Sequence, residues 1–104
     1  LAGQCPLDRA GDLVGPGDVA VQARQVAANI AVALDAAGAT ASDVVRTVVY
    51  VRSDDREDLS TVWAVLTASE VAAAFTSAAT LLGVAQLGFP GQLVEVDVTA
   101  VLPA

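Results

Sequence analysis

The chain has 104 residues, the size of one domain, and is 55% hydrophobic, 4% aromatic and 16% charged. It contains no His, and its five basic residues are all Arg, which excludes Ser-His-Asp and Cys-His nucleophiles, His-based metal sites and Schiff-base chemistry. The formal charge of −7 and a pI near 4.1, with Arg9, Arg24, Arg46, Arg52 and Arg56 scattered, argue against nucleic acid.

Leu1 to Pro6 reads as the tail of a strand entering a turn, with no basic segment of a signal peptide before it. Cys5 is the single cysteine and can make neither an internal disulfide nor a thiolate cluster. Asp8 to Asp18, with Gly11, Gly15, Pro16 and Gly17, is loop. Asp18 is placed to cap a helix from Val19 to Ala37, whose Val19, Ala23, Val26, Ile30, Ala33, Leu34 and Ala37 share one face; Gly38 ends it.

Val44 to Arg52 is a β-branched strand. Val45, Thr47, Val49 and Val51 lie on one face and Val44, Arg46, Val48, Tyr50 and Arg52 on the other. Both faces carry large apolar groups, so both are expected to be covered. A second helix runs from Asp58 to about Val71, with Leu59, Val62, Trp63, Leu66 and Ala73 apolar. Strands follow at Ala79 to Leu87 and Gln92 to Leu102, joined by Gly88-Phe-Pro-Gly91. In the last strand Leu93, Glu95, Asp97, Thr99 and Val101 oppose Val94, Val96, Val98, Ala100 and Leu102. Val71 to Val94 is uncharged, but polar residues, Gly and Pro break it too often for a spanning helix of about 20 apolar residues. The expectation is a single soluble, cytoplasmic α+β domain over residues 1–104, helices on one sheet face and the other apolar face closed by self-association.

The stretches Ala2-Gly-Gln-Cys-Pro-Leu-Asp8, Gln22-Ala-Arg-Gln25 with Asn29-Ile30, Ala36-Ala-Gly-Ala39, Asp43 to Val51, Gly83-Val-Ala-Gln-Leu87 and Leu93-Val-Glu-Val-Asp97 occur in the order seen in one family. By these the chain resembles the Rid superfamily, the YjgF or reactive-intermediate-deaminase family. The resemblance implies a chorismate-mutase-like fold, a mixed sheet under two helices, and a homotrimer whose sheets form a central barrel. It also implies an N-terminal strand segment ahead of Leu1, so either the sequence is incomplete or this member lacks the segment; because Leu1-Ala-Gly begins mid-strand, an incomplete sequence is the expectation.

Family members hydrolyse enamine and imine intermediates to ammonia and a keto acid, without a cofactor, in clefts between subunits. An Arg grips the substrate carboxylate, a Glu handles water, a Gly backbone holds the substrate and an Asn supports the site. Matched residue by residue, the Glu is Glu95 and the Gly is Gly3. The Arg position falls on Ala79, with no basic residue from Phe75 to Gly83, and the Asn position falls on Trp63. Cys5 and Leu81 complete the candidate ligand-binding set with Gly3, Trp63 and Ala79. Losing the bidentate Arg removes about a few kcal/mol of binding for a carboxylate substrate.

Each candidate has a structural counterpart. Glu95 either orients water or pairs with Arg46 or Arg52. Asp97 reads as a solvated or paired strand carboxylate. Cys5 has no His or Lys to activate it and reads as a small semi-buried residue near the cleft. Trp63 is a stacking wall or core, Tyr50 a hydroxyl donor or packing. Gly15-Pro-Gly17 lacks the Lys of an anion cradle, and Arg24 and Arg46 read as ion-pair groups before replacements for the missing Arg. The implied partners are the chain itself and a small metabolite, with no nucleic acid and no membrane. The functional alternatives are a cleft that binds a small molecule with its deaminase chemistry lost or altered, an active enamine or imine deaminase using Glu95, and a protein-interaction module.

Overall fold

The computed structural model describes residues 3–102, so Leu1 and Ala2 of the expected opening strand lie outside the described residues. Asp18, with extended backbone, accepts a 3.0 Å hydrogen bond from the Val21 N–H and starts helix α1, Val19–Ala36. Gly38 ends it at φ +76°, a left-handed conformation that favours glycine. The Ala39 N–H then returns to the Leu34 carbonyl.

A short 3-10 turn at Ala41–Asp43 leads into strand β1, Val44–Arg52, with the bounds the sequence gives. One face assignment differs. A register shift between Val44 and Arg46 buries Val44 and leaves Val45 47% exposed, whereas simple alternation puts Val45 with the inward set.

Helix α2 is Arg56–Thr67, not the expected Asp58 to Val71. Asp55 is the cap and accepts from the Glu57 N–H at 2.9 Å, while Asp58 sits inside the first turn and accepts from the Ser53 hydroxyl at 2.7 Å. At the far end the Ser69 hydroxyl donates to the Leu66 carbonyl at 2.6 Å and accepts from the Val71 N–H. That exchange takes backbone partners away from a continuing helix, and the chain passes into a 3-10 turn at Ala72–Thr76.

Strand β2 is Ala78–Val84 and β3 is Val94–Ala100, both shorter than the sequence suggests. β1 ends at Arg52, which pairs with Val84, so residues 85–87 have no partner strand. The sheet order is β2-β1-β3, with β1 parallel to β2 and antiparallel to β3. Gln4 extends it by one antiparallel bridge to Val96, at 2.7 and 3.1 Å.

Both helices cover one sheet face. Thr47, Val49, Val51, Val94, Val96 and Val98 point into that layer against Ala23, Val26, Ile30, Val62 and Leu66. The opposite face carries Arg46, Val48, Tyr50, Thr80, Leu82, Glu95 and Asp97, and a single chain leaves all of them at least partly open. The fold is thus the expected α+β layer, with one sheet face bare in one chain.

Candidate functional site

Glu95 stands in the middle of β3, between Val94 and Val96. Since strand side chains alternate, burying those two valines under the helices sends the carboxylate to the bare face. There the Gln92 side-chain Nε2 donates to Glu95 Oε1 at 3.2 Å and the Cys5 thiol donates to the same oxygen at 3.5 Å. Neither Arg46 nor Arg52 is its partner; Arg52 Nε donates to the Ala85 carbonyl at 3.2 Å.

Gly3 lies directly over this carboxylate. A Cβ built on it would stand 2.5 Å from Glu95 Oε2 and 2.9 Å from Asp97 Oδ1, so the two acidic side chains occupy room that only a glycine leaves. Asp97 accepts from the Tyr50 hydroxyl at 3.2 Å. Tyr50 is therefore a half-buried hydroxyl donor on the open face, beside Glu95 in the strand register. Gly3, Cys5, Gln92, Glu95, Asp97 and Tyr50 form one cluster.

The cluster's electrostatics follow from two carboxylates near two weak acids. Partial burial, then the Glu95 carboxylate, hold the Cys5 thiol above its ordinary pKa. Loss of hydration and the Asp97 carboxylate do the same for the Tyr50 phenol. Cys5 is thereby kept as a thiol donor and is a poor nucleophile.

The segment carrying Gly3 and Cys5 is fastened to α1. Asn29 Nδ2 donates to the Cys5 and Leu7 carbonyls at 2.8 and 2.9 Å, and Gln25 braces Asn29 at 3.0 Å. One turn earlier Gln22, fully buried, donates to the Gly15 and Gly91 carbonyls and accepts from the Leu93 N–H at 2.8 Å.

Trp63, Ala79 and Leu81 lie elsewhere in the chain. Trp63 meets Phe75 edge to face, with ring centroids 5.8 Å apart, against the core. Ala79 pairs with Thr47 and Leu81 with Val49, which places both with the helix-facing set on edge strand β2. The sheet itself, two strand spacings or about 10 Å wide from β2 to β3, separates them from Glu95 in one chain.

A depression of about 530 Å³ opens at the C-terminal ends of β1 and β2, lined by Arg52, Ser53, Asp54, Gly83, Val84 and Ala85. It holds none of the cluster residues, whose chemistry lies on the open sheet face. Among the described residues no three His, Cys, Asp or Glu side chains are grouped to hold a metal ion, and no helix is long and apolar enough to cross a membrane.

The residue that sequence reasoning missed is Gln92. It was expected to open the last strand, but it is fully buried just before β3 and takes hold of Glu95. The available signal was a glutamine directly after the Gly88-Phe-Pro-Gly91 loop, three positions ahead of a strand carboxylate.

The comparisons with known proteins agree with this architecture. A Rid-family protein of unknown function from Yersinia pestis, YyfB, superposes with a TM-score of 0.83 at 34% identity, over 98% of this chain and 76% of that one. The YjgF gene product of Escherichia coli gives a TM-score of 0.75 at 34% identity, covering 96% of this chain and 76% of the other. A RutC family protein of Pyrococcus horikoshii is 43% identical over 53 residues, half of this chain and 41% of its own length. The profile of the Endoribonuclease L-PSP family matches residues 1–102, and the chain belongs to that family, among the relatives called Rid and YjgF.

Proposed function

We propose that this protein binds a small molecule in clefts between copies of itself, with Glu95 as the polar group of the cleft and the family's deaminase chemistry lost or altered. The observation that carries the reading is the packing of Gly3 against Glu95, with Cys5 and Gln92 holding the carboxylate on an open face. Ala79 and Leu81 project from the other side of the sheet and Trp63 lies on α2 beyond it, so a cleft lined by both sets would take residues from two chains. A homotrimer that closes its sheets into a barrel satisfies this and covers Val48, Tyr50 and Leu82.

Ala79 offers no cation, so the cleft suits an uncharged or apolar ligand better than a keto or imino acid. A second reading, retained imine hydrolysis, is favoured by Glu95 Oε2, which takes no side-chain donor among the described residues and is suited to accept a proton from water. Relatives from Thermotoga maritima and Entamoeba histolytica carry the name endoribonuclease. Twelve acidic residues against five arginines make a phosphodiester backbone the poorest ligand for this surface.

The test is imine hydrolysis with an enzymatically generated 2-aminoacrylate-type substrate, comparing wild type, Ala79→Arg, Glu95→Ala and a no-protein control. The binding reading expects an inactive wild type and activity gained in Ala79→Arg. Wild-type activity abolished by Glu95→Ala establishes the deaminase reading instead, and tight binding of simple α-keto acids at the Glu95 cleft overturns the preference for uncharged ligands.

A further inference from the structure

Gln92 has no exposed surface; its side chain makes three hydrogen bonds and also lies beside the Cys5 thiol. Its Oε1 accepts from the Phe89 N–H at 3.1 Å, and its Nε2 donates to the Val94 carbonyl at 3.1 Å and to Glu95 Oε1 at 3.2 Å. The Phe89 N–H can only be met by the amide oxygen, so the orientation of the amide is determined and Gln92 presents a donor to Glu95. The backbone on either side is pinned as well, since Gln22 from α1 binds the Gly91 carbonyl at 3.1 Å and the Leu93 N–H at 2.8 Å. Gln92 therefore has little freedom to withdraw.

On the carboxylate, both side-chain donors converge on one oxygen. Oε1 takes Gln92 Nε2 and the Cys5 thiol, while Oε2 fills the space left by the missing side chain of Gly3 and takes no side-chain donor among the described residues. A Glu side chain rotates easily about its last bond and at a half-buried strand position would present either oxygen. Here the two are distinguished by their partners.

We infer that Gln92 is a positioning residue that, with Cys5, occupies Glu95 Oε1 and so makes Oε2 the oxygen Glu95 offers to a ligand or water in the cleft. What Oε2 does there rests on the function proposed above; that Gln92 selects it does not.

The experiment reads the carboxylate through Cys5, whose thiol feels Glu95 directly and Asp97 at longer range. Alkylation of the full chain by iodoacetamide is followed against pH in wild type, Glu95→Gln and Gln92→Met. Removing the negative charge in Glu95→Gln lowers the thiol pKa, and the rate at about pH 8 rises by about threefold or more. If Gln92 holds the carboxylate against Cys5, Gln92→Met frees it and moves the profile in the same direction by at least half as much. A profile that stays put, or moves to higher pH because only the Gln92 donor has gone, overturns the inference.

Should Gln92→Met fail to fold, the side-chain amide resonance of Gln92 is followed through an acid titration of wild type and Glu95→Gln. A step present in wild type and absent in Glu95→Gln supports the inference, and an amide blind to Glu95 refutes it. Failure of the functional reading looks different: adding Glu95→Gln to Ala79→Arg leaves hydrolysis of the 2-aminoacrylate-type substrate unchanged while the alkylation and amide readouts behave as expected.

Discussion

Replacing Gly3 with Ala adds one methyl group at the most crowded point of the cluster. The new carbon would stand 2.5 Å from Glu95 Oε2, 2.9 Å from Glu95 Cδ and 2.9 Å from Asp97 Oδ1, where ordinary contact begins at 3.4 Å. Glu95 must retreat by about 0.9 Å. Oε2 is the far end of a flexible side chain, so the swing itself is cheap. The cost comes where the carboxylate moves away from Gln92 and Cys5 and Oε1 leaves Gln92 Nε2, now at 3.2 Å, and the Cys5 thiol, at 3.5 Å. Hydrogen bonds to a charged group contribute about 1.5–3 kcal/mol each when desolvated. Glu95 is half-buried and water can replace part of what is lost, so the net cost is at most about 1–2 kcal/mol. Urea unfolding of wild type and Gly3→Ala measures this, and Cys5 alkylation checks the mechanism, because a displaced carboxylate releases the thiol to react at lower pH. Unchanged stability together with an unchanged Cys5 profile would refute the packing argument.

Three further outcomes are expected. Thr47 is fully buried and its hydroxyl has no hydrogen-bond partner among the described residues, so Thr47→Val should stabilise the fold by about 1 kcal/mol in urea melts. Asp18→Ala removes the cap of α1 and should cost about 1 kcal/mol, with helical signal lost first from the N-terminal turns in hydrogen exchange. Cys5 has a raised folded pKa against an ordinary value of 9.0. The folded chain therefore holds that proton more tightly than the unfolded one, and stability present below pH 9.0 is lost as the pH rises through the folded value. Cys5→Ser removes this contribution to the alkaline slope, which a stability profile above neutral pH resolves.

What the sequence made legible was local. α1 combines a capping Asp18, a clean apolar stripe and a terminating Gly38, and each signal acts within a few residues of its effect. The β-branched run of β1 is equally self-contained. The start of α2 was harder because Asp54, Asp55 and Asp58 all suit a cap, and the Ser53 to Asp58 bond decides among them. The shift at Val44 and Val45 depends on where β3 pairs, which no window along β1 encodes.

At the site, the exposure of Glu95 beside buried valines followed from strand alternation. Its partners did not, because Cys5 is 90 residues away in the chain and the bracing of Gln92 depends on Gln22, on a different helix. Residue type indicated which groups have chemistry to offer, and three-dimensional closure determined which of them meet.

The bonds from Gln22 to Gly91 and Leu93 span 69 and 71 residues, and the thiol contact from Cys5 to Glu95 spans 90. The unit of β1, α2 and β2 needs no such reach, since its parallel pairing closes over the intervening helix alone. Chain closure grows costlier with separation, so during folding the middle of the chain is expected to order first. The two ends then dock on it in the last step. A molecule caught before that docking would have its crossover and part of its core but no assembled Glu95 cluster. Protection of the Gln4 and Val96 amides would therefore appear late in a pulse-labelling experiment, and its appearance would mark when the binding surface is complete.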